Sequence, residues 1–216
     1  MKKYITFTCI VACLFFAAAQ SKASPDCTAV AGNLVANCGF ETGDFTDWTL
    51  SGNDVPGELN NLYGVEGVDP VDGISPHSGS YQTYIADLDP NATTLAQTIA
   101  TTSGDQYTIT FWVAQDTAPS DEYGNELLAS FGGTSLVDDS DVAVEGYTEY
   151  SYAVDATSAT SELDLTLGND LGEFLLDDVS VVDTTPVVTP EPGSLLLFGT
   201  GLLALAGVAR RRLSSR

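Results

Sequence analysis

Between residues 24 and 189, apolar side chains recur at every second position in short bursts broken by Gly, Asp, Asn, Ser and Pro. The clearest burst is 107–115, where Tyr107, Ile109, Phe111 and Val113 share one face and Thr108, Thr110, Trp112 and Ala114 take the other. The same alternation runs through 147–155, with Thr148, Tyr150, Tyr152 and Val154 together, and through 161–167, where Leu163, Leu165 and Leu167 oppose Glu162, Asp164 and Thr166. The pattern predicts further strands at 33–37, 46–51, 62–66, 81–87, 93–100, 126–131, 134–137 and 174–182. Gly132-Gly133, between two of these, predicts a tight hairpin turn. No stretch in this region carries a helical period. A row of short strands without helices is an all-β domain, either a sandwich or a barrel.

The two ends of the chain read differently. Lys2 and Lys3 precede a mostly apolar stretch, 4–19, and Ser21-Lys22-Ala23 offers a small-x-small cleavage site. This predicts a signal peptide over 1–23. Ile10-Val11-Ala12-Cys13 leaves a lipoprotein processing site as the alternative. At the other end, 190–216 reads PEPGSLLLFGTGLLALAGVARRRLSSR. Pro190 and Pro192 bar a helix from passing through them. The apolar run after Gly193 holds no charge until Arg210, Arg211 and Arg212. About sixteen residues at 1.5 Å rise make roughly 24 Å of helix, a short membrane span that flanking arginines can serve by snorkelling. The arginines would keep the C-terminus in the cytoplasm. The domain division is therefore signal peptide 1–23, β-domain 24–183, linker 184–189 and tail 190–216.

Charge narrows the function. The chain holds 30 Asp and Glu against 7 Lys and Arg. Every lysine precedes Ser24 and every arginine follows Ala209, while all the acids fall between. The β-domain has no phosphate-neutralising side chain, so nucleic acid is excluded as a partner. Arginine-clamped phosphate chemistry is excluded with it. Self-repulsion among the carboxylates must be offset by core burial, hydrogen bonds or a bound cation.

Few residues offer chemistry. Cys27 and Cys38 are the pair left after signal removal, and in an oxidising compartment they predict a disulfide, with two free thiols as the alternative. His77, in SPHSGSY, is the one candidate base and reads as a solvated turn residue. Carboxylate pairs for glycoside hydrolysis carry no information in so acidic a chain. No enzyme activity is expected. Trp112, on the polar face of its strand, is the candidate ligand platform: an open indole there could stack on a sugar ring, the alternative being that it packs beneath a loop. Trp48 is expected in the core.

Two resemblances sharpen this. The Pro190-Glu191-Pro192 turn, apolar run and Arg210–Arg212 cluster resemble a PEP-CTERM sorting signal, found in exported proteins of Gram-negative bacteria that make exopolysaccharide. The resemblance implies cleavage near Pro190-Glu191-Pro192 by an exosortase, a membrane-embedded cysteine protease, after transient anchoring by the tail helix. The opening NLVANCGFETGDFTDWTLSGN and closing LGNDLGEFLLDDVSVVD are similar to the two ends of carbohydrate-binding, galactose-binding-like jelly rolls. That resemblance implies a jelly-roll sandwich with first and last strands adjacent. It also implies structural calcium held by Glu41 and Asp177. Asp177 shares parity with Val179 and Val181 and is expected to point inward, whereas Asp178 points away. The alternative is that Asp177 only accepts backbone N–H bonds. Together these imply a non-catalytic structural or adhesive protein of the envelope or matrix, associated with exopolysaccharide or biofilm. The alternatives are a module with a defined glycan ligand and, third, a polysaccharide-acting enzyme.

Overall fold

The computed structural model describes residues 26–52, 63–67, 74–86, 92–116, 124–140, 142, 146–169, 172–186, 198, 200–203, 206 and 210–211. The signal peptide expected over 1–23 lies outside them.

Among the described residues ten strands follow one another: β1 (Thr49–Ser51), β2 (Tyr63–Glu66), β3 (Gln82–Ile85), β4 (Thr93–Ala100), β5 (Gln106–Gln115), β6 (Asn125–Phe131), β7 (Thr134–Ser140), β8 (Thr148–Asp155), β9 (Thr160–Asn169) and β10 (Phe174–Asp183). They form two five-stranded sheets, β1-β4-β9-β6-β7 and β2-β3-β10-β5-β8. Every pairing is antiparallel. The alternation read in the sequence is what closes the core. Ile109, Phe111 and Val113 of β5 and Leu163, Leu165 and Leu167 of β9 are all fully buried. Phe131, Leu127 and Leu95 pack with them, as do Phe174, Leu176, Val179 and Val181 of β10. Phe111 also stacks on Tyr150, with ring centroids 5.3 Å apart. Gly132 and Gly133 turn β6 into β7 with φ of 57° and 80°, the left-handed pair a two-residue hairpin needs.

The opening of the domain departs from the expected strand at 33–37. A 3-10 turn (Cys27–Ala29) leads into irregular chain instead. Asn37 and Phe40 adopt positive φ, 46° and 57°, which breaks an extended ladder. Leu34 is 44% exposed, and Val35 beside it is buried. Even so, this segment lies along β10. Leu34 N–H donates to Val181 O at 2.9 Å, and Val179 N–H donates to Cys38 O at 2.9 Å. Asn33 stitches the same join, with Oδ1 accepting from Val181 N–H and Nδ2 donating to Val179 O. The Cys27–Cys38 disulfide, with Cα atoms 6.0 Å apart, closes the loop that makes these contacts. Trp48 is buried as expected, stacked on Phe40 and donating from Nε1 to Asn37 O.

The tail is described only at Phe198, Thr200–Leu203, Ala206, Arg210 and Arg211, all helical. Among the described residues no helix is long and apolar enough to cross a membrane. Pro190, Glu191, Pro192 and Arg212 lie outside the described residues.

Candidate functional site

The site grows from an irregularity in β10. Its sequence LLDDVSVV places two carboxylates inside an otherwise apolar strand. Against β5, Leu176 pairs with Val113 and Asp177 with Trp112, and then the register shifts before Ser180 meets Thr110. Asp178 is the extra residue, at φ 49°. The bulge reverses parity. Asp177 lies in register with Trp112 on the face away from the sandwich core, while Val179 and Val181 point into it. This corrects the inward reading of Asp177, which counted uninterrupted alternation through the doubled aspartate. Both carboxylates are nevertheless buried, 0% and 3% exposed, because the 26–44 and 74–81 segments bring polar groups onto them.

Those donors are specific. Asp177 Oδ1 accepts from Asp178 N–H at 2.7 Å, and Oδ2 accepts from Ser78 N–H at 3.1 Å. Asp178 Oδ1 accepts from Cys27 N–H at 2.8 Å and from Ser78 Oγ at 2.9 Å. Its Oδ2 lies 2.6 Å from His77 Nδ1. An ionised carboxylate only accepts, so that nitrogen carries the proton. The His77 ring then lies flat on Trp112, with centroids 3.9 Å apart, and leans on Tyr147 at 5.1 Å. The phenol of Tyr147 donates to Gln82 Oε1 at 2.7 Å, and Gln82 Nε2 donates to Glu66 Oε1 at 2.9 Å. On the flank, Glu41 Oε1 accepts from Ser80 N–H at 2.7 Å and from Tyr81 N–H at 3.0 Å. Gly79, at φ 61°, makes room for it: a Cβ there would collide with the Glu41 carboxylate.

The electrostatics follow from burial. The Asp177 carboxyl is pushed up to about 8, first by loss of solvent and then by the charge of Asp178. The Ser78 and Asp178 N–H groups pull it partly back, and Glu41 adds to the rise. The Tyr147 phenol is also raised, by burial first and then by Asp177 and Asp178.

His77 is therefore no solvated turn residue. Its side chain is 10% exposed, and its Nδ1 is hydrogen-bonded to a carboxylate that is 2% exposed. Trp112 is half-buried, and its indole is stacked against the imidazole rather than presented as an open platform.

Glu41 and Asp177, the carboxylates expected to hold calcium, lie close enough for the charge of Glu41 to act on Asp177. Each Asp177 oxygen uses one acceptor position, and Glu41 Oε2 takes no part in the bonds to Ser80 and Tyr81. Among the described residues, metal-compatible atoms of Asp26, Cys27 and Asp178 lie within 4.8 Å of one another, but that sulfur is spent in the disulfide.

A second feature, unread in the sequence, lies on the outer face of the other sheet. A groove of about 410 Å³ is lined by Thr94, Leu128, Ser130, Asp138, Asp164 and Thr166 among others. Thr94 and Thr166 share a hydroxyl bond at 2.8 Å, and Ser130 donates to Asp164 at 3.0 Å. Its residues are the polar half of the alternation, visible in the sequence only as solvent-side positions.

Residues 188–212 match the family model described as the PEP-CTERM protein-sorting motif. No curated protein matches the chain. Among solved structures it is similar to TmCBM61 in complex with beta-1,4-galactotriose, at 21% identity over 70% of this chain and 98% of that one, TM-score 0.49. The K3 cleaved adhesin domain of Lys-gingipain from Porphyromonas gingivalis aligns at 17% identity over 69% and 99%, TM-score 0.46. A structure described as "CBM4 structure and function" aligns at 16% over 69% and 99%, TM-score 0.44. This chain is thus a two-sheet β-protein carrying a PEP-CTERM protein-sorting motif, the mark of an exported, envelope-associated protein of Gram-negative bacteria that an exosortase processes.

Proposed function

We propose that this protein is a non-catalytic structural or adhesive component of the envelope or extracellular matrix, built on a jelly-roll sandwich and associated with exopolysaccharide. The observation that carries the reading is the sorting motif attached to a β-body whose sole histidine is committed to holding the fold together. A general base would need a free, accessible nitrogen lone pair and a reactant beside it. His77 gives its Nδ1–H to Asp178, and its remaining nitrogen belongs to a ring that is packed against Trp112 and Tyr147 and only 10% exposed. Anchoring by the tail helix before processing is part of the proposal.

Structural calcium belongs to the same reading. Glu41 and Asp177 would hold the ion, which would supply positive charge to carboxylates otherwise met by backbone N–H donors, the Ser78 hydroxyl and one imidazole.

A second reading, a module with a defined glycan ligand, is favoured by the hydroxyl- and carboxylate-lined groove, whose polar groups suit sugar hydroxyls. The test is co-sedimentation of the mature exported protein with the cell's own exopolysaccharide, alongside a panel of defined oligosaccharides. The structural reading expects retention by the polymer without preference among the oligosaccharides. Saturable binding to one oligosaccharide, lost in Thr166→Trp, would favour the glycan module. Turnover of the polymer would overturn both.

A further inference from the structure

Two cross-strand rows form the floor of the groove on the β1-β4-β9-β6-β7 sheet. In one, Thr94 of β4 pairs with Thr166 of β9, Thr166 with Leu128 of β6, and Leu128 with Asp138 of β7. In the other, Asp164 pairs with Ser130, and Ser130 with Ser135. Three strand spacings separate Thr94 from Asp138, about 14 Å, which is longer than one sugar ring. The groove volume of about 410 Å³ is in the range of small-ligand sites. Asp138 is exposed on the edge strand, and Asp164 is half-buried two strands in. Among the described residues no aromatic ring lines the groove, so whatever binds is held by polar contacts over the aliphatic patch of Leu128 and Val137.

The polar contacts on offer are unbalanced. Ser130 spends its hydroxyl proton on Asp164 Oδ2 at 3.0 Å. Thr94 and Thr166 spend one of their two protons on each other at 2.8 Å. That leaves one threonine proton and the Ser135 hydroxyl as donors toward the groove. Against them stand Asp164 Oδ1, both oxygens of Asp138 and the lone pairs of Ser130, none met by a donor among the described residues. A carboxylate only accepts, so the groove asks for a ligand that donates more than it accepts. Charge points the same way. The β-body has no lysine or arginine, and its sole histidine is stacked on Trp112 of the other sheet. Glu126 and Glu162 stand exposed on the same face as the groove.

Resting on the glycan-module reading above, we propose that this groove takes a glycan whose sugars carry free ammonium groups, a de-N-acetylated hexosamine polymer. An ammonium brings three donors, no acceptor and a positive charge, which meets the surplus oxygens of Asp164 and Asp138. The neighbouring ring hydroxyls pair with Thr94, Thr166, Ser130 and Ser135. An N-acetyl group in the same place keeps a single N–H, adds an acceptor and carries no charge. A uronate polymer brings like charge to a face with nothing to offset it.

The experiment is calorimetric titration of the mature exported protein with a glucosamine trimer, an N-acetylglucosamine trimer, a galacturonic acid trimer and tri-lysine. EDTA is present to prevent bridging by divalent ions, and salt is held at about 0.15 M to screen distant charges. The glucosamine trimer is expected to bind about tenfold or more tighter than its N-acetylated counterpart, and the galacturonic acid trimer not at all. Asp164→Asn and Asp138→Asn should each weaken the glucosamine trimer about tenfold, the worth of one charged hydrogen bond. Asn at 164 still offers an oxygen to Ser130, and Asp138 has no bond to lose, so both variants keep the fold. Asp155→Asn, an exposed acid on the other sheet, removes the same charge and should leave the affinity unchanged. Equal affinity for tri-lysine, or an equal loss in Asp155→Asn, would mean unspecific attraction and overturn the proposal. Preference for a neutral trimer would overturn the ammonium and leave the glycan-module reading standing. Binding of no oligosaccharide at all would overturn that reading as well.

Discussion

Replacing His77 with alanine strips Asp178 of its imidazole partner while leaving Cys27 N–H and Ser78 Oγ in place. The carboxylate is 2% exposed, so water cannot fill the gap without opening the 74–81 segment. Leaving a buried carboxylate oxygen without its donor costs about 3 kcal/mol, the upper part of the range for an unsatisfied buried polar group. The stack on Trp112, with centroids 3.9 Å apart, adds about 0.5–1.5 kcal/mol. The expected total is roughly 4 kcal/mol, or on the order of 10 °C in the unfolding midpoint for a domain of this size. The assay is urea unfolding of the mature protein with its disulfide intact, for His77→Ala, Asp178→Asn and the double variant. Pairing predicts a double variant less destabilised than the sum of the singles by about 1.5 kcal/mol or more. A loss below about 1 kcal/mol for His77→Ala, or additive costs, would refute the claim that the imidazole holds Asp178 in place.

The other predictions concern the same join. In ion-free protein, Asp177 binds its proton more tightly folded, at about 8, than unfolded, so its contribution to stability is fully present below about pH 4 and is lost as pH rises through about 8. Asp177→Asn should flatten the decline of the unfolding midpoint across that window, and an unchanged profile would contradict the burial argument. Calcium at a hundredfold excess over its Kd should stabilise the wild type by about 2.7 kcal/mol relative to EDTA, with magnesium as the control. Equal midpoints in calcium and EDTA, or the same gain in Glu41→Gln/Asp177→Asn, would rule the site out. Alkylation of the unfolded, unreduced protein should label neither Cys27 nor Cys38, and reduction should cost roughly 2–3 kcal/mol by the loop-entropy estimate.

The strands were legible because the core rests on period-2 alternation. Ile109, Phe111 and Val113, or Leu163, Leu165 and Leu167, declare one buried face without help from distant residues. The Gly132-Gly133 hairpin was legible for an equally local reason, since both residues need positive φ. What escaped was long-range. The segment 33–37 alternates like a strand, but positive φ at Asn37 and Phe40 and the disulfide to Cys27 bend it into loops that still pair with β10. The bulge at Asp178 reversed the parity on which the orientation of Asp177 had been read. His77 sits 101 positions from Asp178, so spacing could not pair them. The groove on the β1-β4-β9-β6-β7 sheet was invisible because threonines, serines and aspartates on a solvent-side face look the same whether the sheet is flat or hollowed.

The central claim is that residues 188–212 are an address removed on delivery rather than a lasting part of the protein. Intact mass of the protein recovered from the surface or medium of an exosortase-producing cell tests it most directly. The account predicts a chain that ends near Pro190-Glu191-Pro192 and lacks Leu195 to Arg216, and that retains its tail when the exosortase is deleted. Recovery of the uncut chain as the surface-bound form, unchanged by that deletion, would contradict it.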